Sequence, residues 1–142
     1  MKKLMILLAF AGFFMQTQAQ KLMEKEVPTA VTAAFYKAHP TLKDVDWKRD
    51  KEYYVAKYEV EKADICTYYD AAGKVLKAKM AIVAGALPAP IMEYVKKTYQ
   101  EDEVKDAYKI TDSEGVVTYE AKVKDMKLFF NSKGDFIKSV KD

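Results

Sequence analysis

The chain has 142 residues, with 24 Lys and Arg against 21 Asp and Glu, one histidine and one cysteine. Cys66 has no second cysteine to pair with, so an internal disulfide is excluded. Arg49 is the single arginine, and lysine lacks the planar fork that reads phosphate and base edges, which argues against nucleic acid as a partner.

The first element in chain order is a targeting segment. Lys2 and Lys3 precede an apolar run from Leu4 to Met15, and Thr17-Gln18-Ala19 sets small residues where a signal peptidase cuts. The run is shorter than the roughly 20 apolar residues that span a bilayer. Residues 1–19 therefore read as a signal peptide cleaved near Ala19-Gln20, giving a periplasmic or secreted chain with no membrane span in its mature part. Without Lys2 and Lys3, 22 basic side chains face 21 acidic ones, a balanced surface suited to one compact unit of about 120 residues.

A repeat organises the remainder. Val27-Pro28 opens a stretch with apolar positions at Val31, Ala34, Phe35 and Ala38, and Leu87-Pro88 opens one with Ile91, Tyr94, Val95 and Thr98. Both spacings predict a helix with one apolar stripe that a sheet must cover. Proline suits the first turn because its missing N–H would have no partner there. Pro40 stops the first helix, whereas Gln100 stands at that place in the second.

Each helix is followed by four predicted strands. In the second half, a two-residue turn at Ser113-Glu114 sets Ile110 against Val117 and Tyr108 against Tyr119; another at Lys124-Asp125 sets Val123 against Met126 and Tyr119 against Phe130. That arithmetic collects Tyr108, Ile110, Tyr119, Ala121, Leu128 and Phe130 on a core face. In the first half, turns at Asp50-Lys51 and Glu61-Lys62 set Trp47 against Tyr54, Ala56 against Thr67 and Tyr58 against Ile65. The last strands point Leu76, Ala78, Met80 and Ile82 inward in one half and Ile137 in the other. The near copies "YYDAAGKVLK" (68–77) and "FFNSKGDFIK" (129–138) are then the third strand of each half and its turn, with Asp or Asn starting the turn and Gly ending it.

The face turned away from the helices is the candidate partner-binding surface. It is expected to carry Tyr53, Val55, Tyr68, Val75, Phe129 and Phe136, with Tyr68 opposite Val75 and Phe129 opposite Phe136. A sheet covered on one side is polar on the other, and aromatic residues in a polar surround are what protein interfaces use. Cross-strand aromatic pairs also stabilise sheets by several tenths of a kcal/mol each, so the same pattern has a purely structural reading.

Together, "VPTAVTAAFYKAHP", "DVDWKRDKEYYVAKYE", "YYDAAGKVL", "LPAPIMEYVKKTY" and "FFNSKGDFI" resemble the PepSY-like proteins that are similar to the beta-lactamase-inhibitor protein. The resemblance implies an exported bacterial protein of the α+β class: two tandem helix-plus-four-antiparallel-strand repeats, 20–84 and 85–142, forming one continuous curved sheet with the helices packed on one face, the convex one. It supplies no catalytic motif.

Catalysis is also disfavoured by the residues. His39 ends a helix and pairing sets Cys66 beside Lys57, away from it, so no nucleophile-and-base pair forms. The turns lack the D-x-[DN]-x-[DN]-G spacing of a calcium loop, and one His with one Cys does not make a zinc site. No catalytic residue, metal or cofactor is expected. The reading is an exported, non-enzymatic protein-binding module, one form of which inhibits its target, acting on another periplasmic or extracellular protein. The alternative is a periplasmic small-ligand or calcium-responsive sensor, with Glu101, Asp102 and Glu103 as the carboxylates.

Overall fold

The computed structural model describes residues 19–100 and 103–142. The expected signal peptide, up to residue 18, lies outside them, as do Glu101 and Asp102 of the acidic run. The chain order is β1 (Gln20–Leu22), α1 (Thr29–Ala38), β2 (Asp46–Asp50), β3 (Tyr53–Val60), β4 (Ala63–Tyr69), β5 (Val75–Ile82), α2 (Ala89–Tyr99), β6 (Val104–Asp112), β7 (Val117–Val123), β8 (Met126–Asn131) and β9 (Phe136–Lys141). The protein is α+β, and the nine strands of its described residues form one antiparallel sheet in sequence order. The expected four strands follow each helix. A ninth, β1, lies at the edge and pairs Leu22 with Trp47.

Each helix is preceded by a single 3-10 turn, Glu24–Glu26 or Ala84–Ala86, and then by proline at the cap. The Pro28 and Pro88 carbonyls accept the first helical bonds from Val31 (2.9 Å) and Ile91 (3.0 Å). Valine, valine and phenylalanine at 27, 31 and 35, and leucine, isoleucine and valine at 87, 91 and 95, are the buried stripes. The first stripe packs on Trp47, Ala56, Tyr58 and Tyr69. The second packs on Ala107, Ala121, Val123, Leu128 and Phe130. Ile65 joins the first cluster and Ile82 the second; Ile65 pairs with Met80, which shares its face with Ile82 two residues on, so both helices cover the same side of the sheet. Gln100 ends α2 by adopting φ +56° while its N–H bonds the Lys96 carbonyl at 2.9 Å.

Three turns have the same construction. The side-chain oxygen of Asp70 accepts from the Ala72 and Lys74 amides, that of Asp112 from Glu114 and Val116, and that of Asn131 from Lys133 and Asp135, all at 2.8–3.0 Å. Gly73, Gly115 and Gly134 close them at φ +86°, +85° and +93°. At Gly73 a Cβ would lie 2.4 Å from the Ala30 carbonyl oxygen of α1, and at Gly134 it would lie 2.9 Å from Pro90 of α2. The repeated glycine thus serves two ends, a left-handed backbone and the close approach of a turn to a helix.

This shared turn corrects the sequence reading of β6. Asp112 and Val116 close the turn, so Thr111 faces Val117, Ile110 faces Thr118 and Tyr108 faces Glu120. The pairing is one residue away from that of a two-residue turn, and a slip of one moves every side chain to the other face. Ala107 goes into the core; Tyr108 and Ile110 go to the open face. The β2–β3 turn is at Lys51-Glu52, which sets Trp47 opposite Ala56 rather than Tyr54; that shift of two keeps the faces as expected. The pairings Tyr58 with Ile65, Ala56 with Thr67, Tyr119 with Phe130 and Val123 with Met126 are as expected.

Candidate functional site on the open sheet face

Rows of side chains run across the open face. One row is Lys48, Val55, Tyr68 and Lys77, on β2 to β5. The next is Lys57, Cys66, Lys79 and Ile110, on β3 to β6. The third is Tyr108, Glu120, Phe129 and Lys138, on β6 to β9. Neither α1 nor α2 covers this side, yet Val55 is 4% exposed and Glu120 3%, both sealed by their neighbours on the sheet itself.

Between the rows lies a groove of about 250 Å³, with Tyr53, Tyr68 and Phe129 among its walls and Lys77, Lys79 and Lys127 among its charges. Asp50 and Glu120 are its acids. Elements from both sides of β5 contribute, so the groove exists only because β5 and β6 pair.

Lysines lie on the aromatic faces. The Lys77 ammonium is 4.6 Å from the centroid of Tyr68, Lys79 is 4.2 Å from Tyr108 and Lys138 is 5.3 Å from Phe129. Lys79 also meets Glu120 at 2.9 Å. Lys127 meets the Asp142 carboxylate at 3.3 Å, and Lys122 bonds the same side chain. Hydrogen bonds from Lys122 and then Lys127 hold the Asp142 carboxyl below the usual range.

Burial sets the protonation behaviour of the groove. It pushes the Tyr68 hydroxyl up to about 12, so at neutral pH this group is an O–H donor. It also lowers Lys77, helped by repulsion from Lys79. Cys66 is opposite Lys57, as expected, but burial outweighs the pull of Lys57, Lys48 and Lys79 and raises its thiol, which makes a thiolate harder to form.

Of the six residues expected on this face, Tyr53, Tyr68 and Phe129 line the groove and Val55 lies buried between Lys48 and Tyr68. Val75 and Phe136 do not belong with them. Three-residue turns, closed by the Asp70 amide on the Lys74 carbonyl and by the Asn131 amide on that of Asp135, set Val75 opposite Tyr69, and Phe136 opposite Phe130, before either bulge is reached. Both are therefore on the helix face. Phe136 stacks on Tyr94 of α2 at 4.8 Å and 9°. Tyr68 and Phe129 instead face Lys77 and Lys138, and Ile137, expected inside, is 52% exposed. Sequence reasoning missed Lys77, Lys79, Tyr108 and Ile110. The signal for the last two was present, because "DSEG" has the same Asx-x-x-Gly form as "DAAG" and "NSKG".

His39 lies on the opposite side of the sheet from Cys66, its ring 4.8 Å from Phe35 and 4.9 Å from Tyr58. The two cannot act as a base and nucleophile. Among the described residues no three His, Cys, Asp or Glu side chains converge to hold a metal ion, and no helix is long and apolar enough to cross a membrane.

The model of the family described as "Putative beta-lactamase-inhibitor-like, PepSY-like" matches the chain twice, over residues 12–77 and 76–138. The chain belongs to this family. Each PepSY-like match takes in one helix, the next three strands and the start of the fourth. Among solved structures, a protein of Bacteroides eggerthii titled one of the "putative periplasmic proteins" is 20% identical, with TM-score 0.73, over 81% of this chain and 88% of that one. A "BLIP-like protein" of Bacteroides fragilis is 18% identical, with TM-score 0.67, over 81% and 86%. At such identities the PepSY-like chain shares a fold with these proteins. No curated protein matches it in sequence.

Proposed function

We propose that this PepSY-like chain is an exported, non-enzymatic protein-binding module that uses the open face of its sheet, and that its binding restrains or inhibits the target. The observation that carries this reading is the groove, where Tyr68 and Phe129 stand on a face that neither helix covers. Aromatic anchors inside a charged rim are the composition of interface hot spots. The reading includes cleavage near Ala19-Gln20, which leaves β1 intact, and two units, 20–84 and 85–142, in a sheet curved so that the open face is concave. The burial of Val55 and Glu120 with neither helix above them supports that curvature. A periplasmic location is supported by the description of the Bacteroides eggerthii relative as periplasmic and by the apolar run at residues 4–15.

Immobilised mature protein exposed to periplasmic extract is the test, with Tyr68→Ala and Phe129→Lys combined as the comparison. A protein retained by the wild type and lost from a variant that unfolds at the same temperature supports the reading. Equal retention by both removes the open face as the contact surface.

A further inference from the structure

We propose that the groove on the open face is a subsite for one carboxylate, supplied by an Asp or Glu side chain of the protein partner, with the Lys77 ammonium and the Tyr68 hydroxyl as its donors. The inference rests on the open-face reading and specifies the chemistry of what enters. Its starting point is a charge imbalance. Of the four lysines at the groove, Lys79 is committed to Glu120, Lys127 to Asp142, and Lys51 is exposed on the β2–β3 turn. Lys77, at the centre, has no ion pair among the described residues, and its recorded contact is the Tyr68 ring. Asp112 stands opposite Lys77 on β6, but a carboxylate oxygen of Asp112 is occupied by the Glu114 and Val116 amides. Asp50 and Glu120 attract Lys77 from beyond ion-pair distance.

An ammonium partly withdrawn from water with no carboxylate in contact is unfavourable, and burial and Lys79 both lower its proton affinity. An arriving carboxylate removes that penalty. The face already holds two carboxylates in this manner, Glu120 on Lys79 and Asp142 between Lys122 and Lys127, so its lysine spacing suits the group. The hydroxyl of Tyr68 remains protonated and able to donate, and among the described residues it has no hydrogen-bond partner of its own.

The size and charge of the groove choose among anions. Its volume of about 250 Å³ falls below the roughly 300–1,000 Å³ of small-molecule sites but admits a side chain. A phosphate dianion calls for a guanidinium fork or a nest of backbone amides, and Arg49, the sole arginine, instead bonds the Lys51 carbonyl beside Tyr54. One ammonium and one hydroxyl match one carboxylate.

The experiment is a selection from displayed random dodecapeptides on immobilised full-length mature protein in low-salt buffer. The enriched peptide is then synthesised, and its affinity is measured by fluorescence anisotropy beside a copy with each acid changed to its amide. Enriched peptides should carry Asp or Glu. The amide copy and the Lys77→Gln variant should each weaken binding about tenfold or more, Lys77→Arg should retain most of it, and added salt should weaken it. Thermal melts establish that Lys77→Gln is folded. Peptides that are lost with Tyr68→Ala but indifferent to Lys77→Gln and to the amide change overturn the carboxylate subsite and leave the open-face reading standing. Peptides indifferent to all three changes overturn both. Enrichment of no acidic peptide, or displacement by free sodium glutamate at the peptide's own concentration, also overturns the proposal.

Discussion

Lys79 and Glu120 stand on β5 and β7 with β6 between them, and their side chains meet at 2.9 Å over the ring of Tyr108. The contact ties β5, the last of the four strands after α1, to β7, one of the four after α2. Glu120 is almost wholly buried and Lys79 mostly so. Glu120→Ala should therefore cost about 2–3 kcal/mol in urea unfolding, because it strands a desolvated ammonium, whereas Lys79→Met combined with Glu120→Leu should come close to wild type. If the single change is as mild as the double, the pair contributes nothing.

The glycines that end the Asx turns separate backbone strain from steric contact. Gly115 has φ +85° and open space around its Cα, so Gly115→Ala should cost about 1–2 kcal/mol for the left-handed conformation alone. Gly73 has the same φ with the Ala30 carbonyl 2.4 Å from where a Cβ would stand. Gly73→Ala should cost clearly more, and the excess in denaturant midpoint measures how tightly the turn abuts α1. Equal losses at the two sites would show that the turn simply moves away.

Burial raises Tyr68 and Tyr69 to about 12. A tyrosine whose folded value exceeds its unfolded one contributes stability that is fully present below about 10 and is lost as pH rises through about 12. Stability should accordingly fall across that alkaline window. In a spectrophotometric titration of phenolate absorbance, these two hydroxyls should ionise last, after the less strongly raised Tyr36, Tyr53 and Tyr108, and Tyr68→Phe should remove one of them.

The thiol of Cys66 is raised by burial on the open face. It should react with a disulfide reagent at neutral pH several times more slowly than an unfolded control peptide of the same local sequence. A faster reaction would mean that the lysines around it, not burial, set its chemistry.

The alternative as a cation-responsive sensor predicts a rise in melting temperature with millimolar calcium, by mass action on the folded state. The binding-module reading predicts no change, and a shift of several degrees would favour the sensor.

Both helices were legible in the sequence because each has apolar residues at i, i+4 and i+8 beginning one residue before a proline, a pattern that survives any detail of packing. The hairpins β3–β4 and β7–β8 were legible because Glu61-Lys62 and Lys124-Asp125 separate alternating apolar runs of definite length. The β6 register was not, because "DSEG" fits either a two-residue or a three-residue loop and only the second puts Ala107 opposite Ala121 in the core. Strand β1 was invisible, as three residues of mixed polarity have no period to read. The site was legible at Tyr53, Tyr68 and Phe129, which alternate with core residues. Its charged centre was not: the bulges that put Lys77 opposite Tyr68 and Lys138 opposite Phe129 add one residue to a strand without any marker of composition.

Strand β5 accepts β6 along its outer edge over six paired residues, from Lys77 with Asp112 to Ile82 with Ala107. A unit whose final strand welcomes the opening strand of a similar unit has the geometry of a monomer in a growing chain, and growth of that kind does not stop on its own. Here the two ends act as terminators. At one, β1 offers only three residues; at the other, β9 presents an edge interrupted by a bulge and carrying Lys138 and Lys141. Short edges, bulges and lysines are the features that keep free strand edges from recruiting further copies, so the same addition that builds the groove is arrested after one step.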